Sequence, residues 1–304
     1  MSEAIIVRNV SYRAGREFAI RNLAMTVPTG SVYGFLGPNG SGKTTTLRLL
    51  LGMLPADDGT INLLGHDVPV GVHKALAKIG YVPERLHLYP QLTVEETLRY
   101  HASFYPDWDN IRAEQLRREF SLRAEQGVDR LSKGESGKLM MLIALAHNPE
   151  LLVLDEPTDG LDPVVRRDVL AALLEYVSSR GATVLISSHL IHEQERICDH
   201  VGVMDDGRLL AEMPMAAFRG GIKRLRVARA PIDRGTLPFT LLSRGVTAGR
   251  EEEWVVRGWQ PAMKEYFESA ESELREVIDL DLEESFVELL RSARTPAGVA
   301  GEEN

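Results

Sequence analysis

Short apolar runs bounded by turn residues alternate along this chain with stretches in which apolar positions recur every three to four residues. Residues 4–10 and 18–28 read as two strands around a turn at Ala14-Gly15-Arg16, with Pro28 and Thr29-Gly30 closing the second. Later runs are almost wholly apolar: 32–36, 79–83, 151–154, 183–187 and 201–204. Such runs mark strands buried on both faces, the habit of a parallel sheet covered by helices. A short strand at 60–64 follows the turn Pro55-Ala56-Asp57-Asp58-Gly59, and Asp205-Asp206-Gly207 reads as a hairpin turn into residues 208–210. Helical spacing covers residues 72–78 and most of 93–147. Thr93 and Glu96 form a capping box at the start of that region, residues 106–110 break it, and a helix spans 135–147. Residues 164–179 carry Val165, Val169, Leu170, Leu173, Leu174 and Val177 on one helical face, and Gly181 ends them. Beyond residue 220, residues 225–228 and 254–257 alternate like strands, and 261–275 and 283–294 read as helices, the second with Phe286, Leu289 and Leu290 on one face. Residues 295–304 are expected to be a disordered tail. No internal repeat is visible.

The run at 32–36 leads into Gly37, Pro38, Asn39, Gly40, Ser41, Gly42, Lys43, Thr44 and Thr45, and a helix follows. Glycine, four residues, then Gly-Lys-Thr between a strand and a helix is the phosphate-binding loop. Its glycines let the backbone wrap close to an anion with N–H groups turned inward, and the helix N-terminus adds partial positive charge. Lys43 would bridge the outer phosphates and the Thr44 hydroxyl would bind Mg2+. The run at 151–154 ends in Asp155 and Glu156. At a strand end of a parallel sheet these carboxylates face the ligand crevice. There Asp155 would hold Mg2+, directly or through water, and Glu156 would orient or deprotonate the attacking water. His189 stands at the end of the 183–187 run, where it could touch the γ-phosphate; a capped or solvated histidine is the alternative. Tyr12 is either an aromatic that stacks on adenine or a surface tyrosine of the first hairpin.

Composition acts mainly by exclusion. A net charge of −9 argues against binding to a nucleic-acid backbone. Cys198 is the sole cysteine, so no internal disulfide forms and a reducing compartment fits. The N-terminus lacks a signal pattern, and the longest apolar run, Leu139 to Ala146, is far too short to span a bilayer. Any membrane role is therefore expected to pass through a partner chain.

With these motifs in order, residues 3–220 resemble the nucleotide-binding subunit of an ATP-binding cassette (ABC) transporter. Three further features carry the resemblance. Leu131-Ser132-Lys133-Gly134-Glu135 stands where the family has Leu-Ser-Gly-Gly-Gln, Gly160-Leu161-Asp162 matches the D-loop, and His189 matches the switch histidine. The segments Phe104-Tyr105-Pro106-Asp107-Trp108-Asp109 and 279–287, with the Leu-Ser-Lys-Gly variant, look like the bacterial ABC-2-type exporter group. The resemblance implies an α/β fold: a P-loop ATPase core with a mixed sheet, an antiparallel β subdomain and a helical subdomain at about 87–147. A small C-terminal α+β extension at 221–294 would follow. It implies ATP hydrolysis with ATP and Mg2+ as cofactors and Tyr12 as the adenine-stacking aromatic. Two subunits, alike or different, would face head to tail, with Ser132 and Gly134 reaching the ATP of the partner. A separate transmembrane permease would convert closure into transport, placing the chain in the cytoplasm at the inner face of the membrane. The alternative is a soluble ABC-type ATPase that clamps ribosome or DNA; the single cassette, the missing coiled coil and the acidic charge disfavour it. A catalytically dead subunit is disfavoured by the presence of Lys43, Asp155, Glu156 and His189. Two positions depart from the family. Glu84 replaces the usual glutamine and is expected to ligate Mg2+ when the site is closed. Lys133 and Glu135 replace Gly and Gln of the signature, Lys133 either adding positive charge near ATP or pointing into solvent.

Overall fold

The fold is that of a computed structural model, which describes residues 2–15, 18–85, 87–229, 237–246, 251–269 and 272–294. The expected disordered tail, 295–304, lies outside them. In chain order the first unit contains β1 (Glu3–Ala14), β2 (Phe18–Pro28), β3 (Val32–Leu36), α1 (Lys43–Leu50), β4 (Asp58–Leu63), β5 (His66–Val68), α2 (Val72–Leu76), β6 (Ile79–Val82), α3 (Val94–Ala102), α4 (Asn110–Glu119), α5 (Lys133–Leu145), β7 (Leu151–Asp155), α6 (Pro163–Arg180) and β8 (Thr183–Ser188). After α7 (Ile191–Ile197) it ends with β9 (His200–Asp205) and most of β10 (Arg208–Pro214). The chain then runs through α8 (Met215–Gly221), β11 (Ile222–Arg229), β12 (Thr240–Val246), β13 (Glu252–Arg257), α9 (Lys264–Ser269), β14 (Glu273–Asp279) and α10 (Leu282–Arg294).

Two sheets build the first unit. Antiparallel strands β2-β1-β4-β5 form one, and β10-β9-β3-β8-β7-β6 form the other. Within the second, β3 runs parallel to both β8 and β9, and β7 runs parallel to β8 and β6. Every residue of β3, β7 and β8 is buried, including the polar Asp155, Thr183, Ser187 and Ser188 among their apolar runs. Register then decides where the chemistry falls. Leu36 pairs with Ser188 and Asp155 with Ser187, so β3, β7 and β8 end at the same level of one sheet edge. The chain leaves that edge three times, as the phosphate loop, as Glu156 and as His189.

The helical region begins as the sequence predicts. Thr93 Oγ1 accepts from Glu96 N and Glu96 Oε2 accepts from Thr93 N, closing the capping box of α3. The helix expected at 135–147 starts two residues earlier, at Lys133, because Ser132 and Glu135 make a second capping box of the same form. At the far end of α5, buried His147 lies with Nδ1 3.3 Å from Ile143 O and Nε2 3.1 Å from Ile79 O, stacked on Tyr105. Burial lowers its pKa more than the two carbonyls raise it. The unfolded chain therefore takes up this proton first, and stability is lost as pH falls below about 6.5. The melting temperature is expected to fall more steeply between pH 7 and pH 5 in the native chain than in His147→Gln; equal slopes would remove His147 as a cause. The single cysteine, Cys198, is buried, and burial pushes its thiol pKa up, away from reactivity.

The second compact unit comprises Ile191–Arg196 and the chain from Met213 onward, so the division falls before α8 and not at residue 221. Its sheet has the order β12-β13-β11-β14 around a core of Leu225, Val227, Trp254, Val256 and Phe267. The helix read at 261–275 is not formed over that length. A 3-10 turn at Pro261–Met263 and α9 stop at Ser269, and Glu273–Asp279 is a strand paired with β11. The strand state recruits cross-strand ion pairs, Lys223 to Asp279 at 2.6 Å and Arg226 to Glu276 at 3.1 Å. Those partners are remote in sequence, which is why local spacing misses them.

Candidate nucleotide-binding and catalytic site

The phosphate loop forms because side chains have no room in it. A Cβ on Gly37 would collide with Met204 O and Ser41 Oγ, and Gly42, at φ 114°, would press one onto Ile20 and Met204. Gly42 is also the N-cap of α1 and supplies no capping side chain, so the first N–H groups of the helix stay available to an anion. Lys43 is buried, and its Nζ donates to Gly37 O at 2.7 Å and Pro38 O at 3.3 Å. A cavity of about 440 Å³ opens above the loop, lined by Asn39, Gly40, Gly42, Lys43, Thr44, Thr45, Glu84, Glu156 and Phe18.

The carboxylates meet the loop across the sheet edge. Asp155 Oδ1 accepts from Thr44 Oγ1 at 3.2 Å and from Ser187 Oγ at 2.7 Å. Its other oxygen, Oδ2, is buried and makes no hydrogen bond. A buried carboxylate oxygen left over beside a threonine hydroxyl is a donor set that suits Mg2+, which takes one or two protein oxygens and fills the rest from phosphate and water. Glu156 follows with φ 48°, a left-handed conformation that costs a non-glycine residue about 1–2 kcal/mol. Glu156 N donates to Ser187 Oγ (3.0 Å) and to Ser187 O (3.2 Å). Its carboxylate is shared: Oε1 lies 3.3 Å from Lys43 Nζ, and Oε2 takes His189 Nδ1 at 2.9 Å and His189 N at 3.3 Å. The Lys43 contact is an ion pair and not an aimed hydrogen bond, since Oε1 has no hydrogen-bond partner. Sequence reading did not single out Ser187, yet its hydroxyl holds both Asp155 and the backbone of Glu156. Its signal was register: it is the residue of β8 directly opposite Asp155.

Other expected site residues lie elsewhere. Tyr12 does not line the cavity. β1 runs on to Ala14, and Tyr12 pairs with Ile20 and packs on the core cluster of the antiparallel sheet. The aromatic at the cavity is Phe18, two residues from Ile20 on the same face. Ser132 and Gly134 also stay out of it, as N-cap and second residue of α5. Glu135 closes that cap, and the hydrogen bond from Ser132 N lowers its pKa, so an acid in place of glutamine suits the helix start. Lys133 is exposed and 3.7 Å from Asp159 Oδ2. Asp162 caps α6, its Oδ1 accepting from Val164 N and Val165 N. Glu84 is exposed on the cavity wall.

Residues 20–159 match the family model described as ABC transporter. The chain is 40% identical over 217 residues to the Nod factor export ATP-binding protein I of Burkholderia lata, covering 67% of this chain and 69% of that one. It is 35% identical over 216 residues to the bacitracin transport ATP-binding protein BcrA of Bacillus licheniformis, covering 70% and 71%. A solved ATP-binding subunit of an ABC transporter superposes with a TM-score of 0.64 at 30% identity, over 71% of this chain and 92% of that one. This chain belongs to the ABC transporter ATP-binding family. It is an ATP-hydrolysing subunit. Among the described residues no helix is long and apolar enough to cross a membrane.

Proposed function

We propose that the chain hydrolyses MgATP between two cassettes arranged head to tail and thereby drives export through a separate transmembrane permease. The carrying observation is the shared carboxylate of Glu156, which faces Lys43 through one oxygen and His189 through the other. With ATP bound, Lys43 and the N–H groups of the loop hold the β- and γ-phosphates. The Thr44 hydroxyl and Asp155, whose free Oδ2 supports the assignment, would hold Mg2+, which would supply positive charge to the phosphates. Glu156 takes a proton from water as its oxygen bonds to the γ-phosphorus. The bond from that phosphorus to the bridging oxygen breaks, and ADP leaves with the electron pair. His189 holds the carboxylate in line through Nδ1.

Ser132 and Gly134 serve the ATP of the partner cassette. Their position at the start of α5, away from the cavity of their own chain, supports this, since a helix start is a phosphate site. The export and transport named for the relatives support an exporter, and the net charge of −9 speaks against nucleic acid as partner. The chain would sit in the cytoplasm against its permease. Glu84 acts as a further Mg2+ ligand in the closed state, supported by its place on the cavity wall. Glu84→Ala is expected to raise the Mg2+ concentration for half-maximal hydrolysis by about tenfold, equivalent to ~1.4 kcal/mol. A Mg2+ titration of ATPase rate checks this, and an unchanged midpoint and turnover would remove the role.

A further inference from the structure

A run of alternating charges joins the phosphate-loop lysine to the signature-helix lysine inside one chain. Lys43 Nζ lies 3.3 Å from Glu156 Oε1, and Glu156 Oε2 lies 2.9 Å from His189 Nδ1. His189 Nε2 then lies 4.0 Å from Asp159 Oδ1, and Asp159 Oδ2 lies 3.7 Å from Lys133 Nζ. The first two contacts belong to the ATPase centre. Asp159 and Lys133 do not line its cavity, and the hydrolysis described above uses neither.

Lys133 is the first residue of α5, where the helix dipole disfavours a cation. Its ammonium turns instead toward Asp159 and crosses Gly160, where a Cβ would collide with Nζ. Asp159 thus offers one oxygen to Lys133 and the other to the ring nitrogen of His189 that Glu156 leaves free. Glu156 holds the ring by a hydrogen bond at Nδ1, while Asp159 faces Nε2 across 4.0 Å, a longer-range charge contact that favours the same ring orientation.

We propose that Asp159 is a positioning residue for hydrolysis: it sets the ring orientation of His189 through Nε2, and Lys133 holds Asp159 in place. The start of the signature helix is thereby linked to the hydrolytic carboxylate within one chain. The inference rests on the roles given above to Glu156 and His189. Both links are partly exposed, so each is a small effect in isolation.

The test uses the full chain with Asp159→Asn, Asp159→Glu and Lys133→Met, each alone and combined with His189→Ala. Asp159→Asn is expected to lower kcat by about twofold to fivefold, the scale of one exposed charge pair, with KM for MgATP unchanged. Asp159→Glu restores part of the loss, and Lys133→Met causes a smaller one. In the His189→Ala background Asp159→Asn has no further effect, because both act through one ring. Independently of turnover, Asp159→Asn shifts the Nε2 resonance of His189 in nitrogen-15 spectra of the nucleotide-free chain, a signal assigned by its absence in His189→Ala. An unmoved resonance, or a loss of equal size with and without His189, overturns the proposal. Glu156→Gln separates the two layers: if it retains turnover, the reading of Glu156 fails, while the resonance still decides whether Asp159 addresses His189.

Discussion

Replacing Glu156 with glutamine is expected to lower ATP turnover by about 10²–10⁴-fold, the contribution of a positioned general base. The change is nearly isosteric. The amide still offers an oxygen to His189 Nδ1 and fits the space beside Lys43, so the strained backbone at φ 48° keeps its partners in Ser187 and His189. What is lost is the capacity to take a proton, together with the charge that pairs with Lys43, whose ammonium is then left to the phosphates. Nucleotide affinity should therefore persist, and phosphate release in steady state is the measurement that separates the two. Turnover within a few-fold of the native chain would remove Glu156 as the base.

Replacing Lys43 with alanine acts on the other side of the same contact. Nucleotide affinity is expected to weaken by about 10- to 100-fold, the scale of one charge-assisted hydrogen bond to phosphate. Two further effects point the same way. Lys43 Nζ ties Gly37 O and Pro38 O together, so the loop loses an internal brace. Removal also leaves the Glu156 carboxylate without its nearest cation, facing the incoming triphosphate in a largely buried setting. Titration with a fluorescent ATP analogue reads the affinity directly, and a native dissociation constant in Lys43→Ala would contradict the placement of the phosphates.

The parts of the molecule that sequence reading anticipates are those whose signal is local. The parallel strands were legible because strands buried on both faces read as near-continuous apolar runs, as at 32–36, 151–154 and 184–186. The phosphate loop was legible because only glycine fits at Gly37 and Gly42. What stayed hidden is tertiary. Ser187 and Phe18 carry no motif of their own and reach the site only through tertiary placement. Tyr12 is an aromatic near the first turn, but β1 extends through it, and although it shares a face with Ile20 and Phe18 only Phe18 lines the cavity. In the second unit β14 takes strand pairing from an open edge of β11, a choice that helical spacing at 261–275 cannot foresee. The same holds for β12, whose partners come from β13. The early start of α5 was readable in principle, since Ser132 and Glu135 repeat the spacing of Thr93 and Glu96.

The most direct test of the account is the mass of the Glu156→Gln chain by size exclusion with light scattering, with and without MgATP. A nucleotide-dependent change from the 33.8 kDa monomer to twice that mass is predicted, with ATP held uncleaved between the phosphate loop of one copy and the α5 start of the other. A chain that binds MgATP and keeps the monomer mass would contradict the sandwich between two copies.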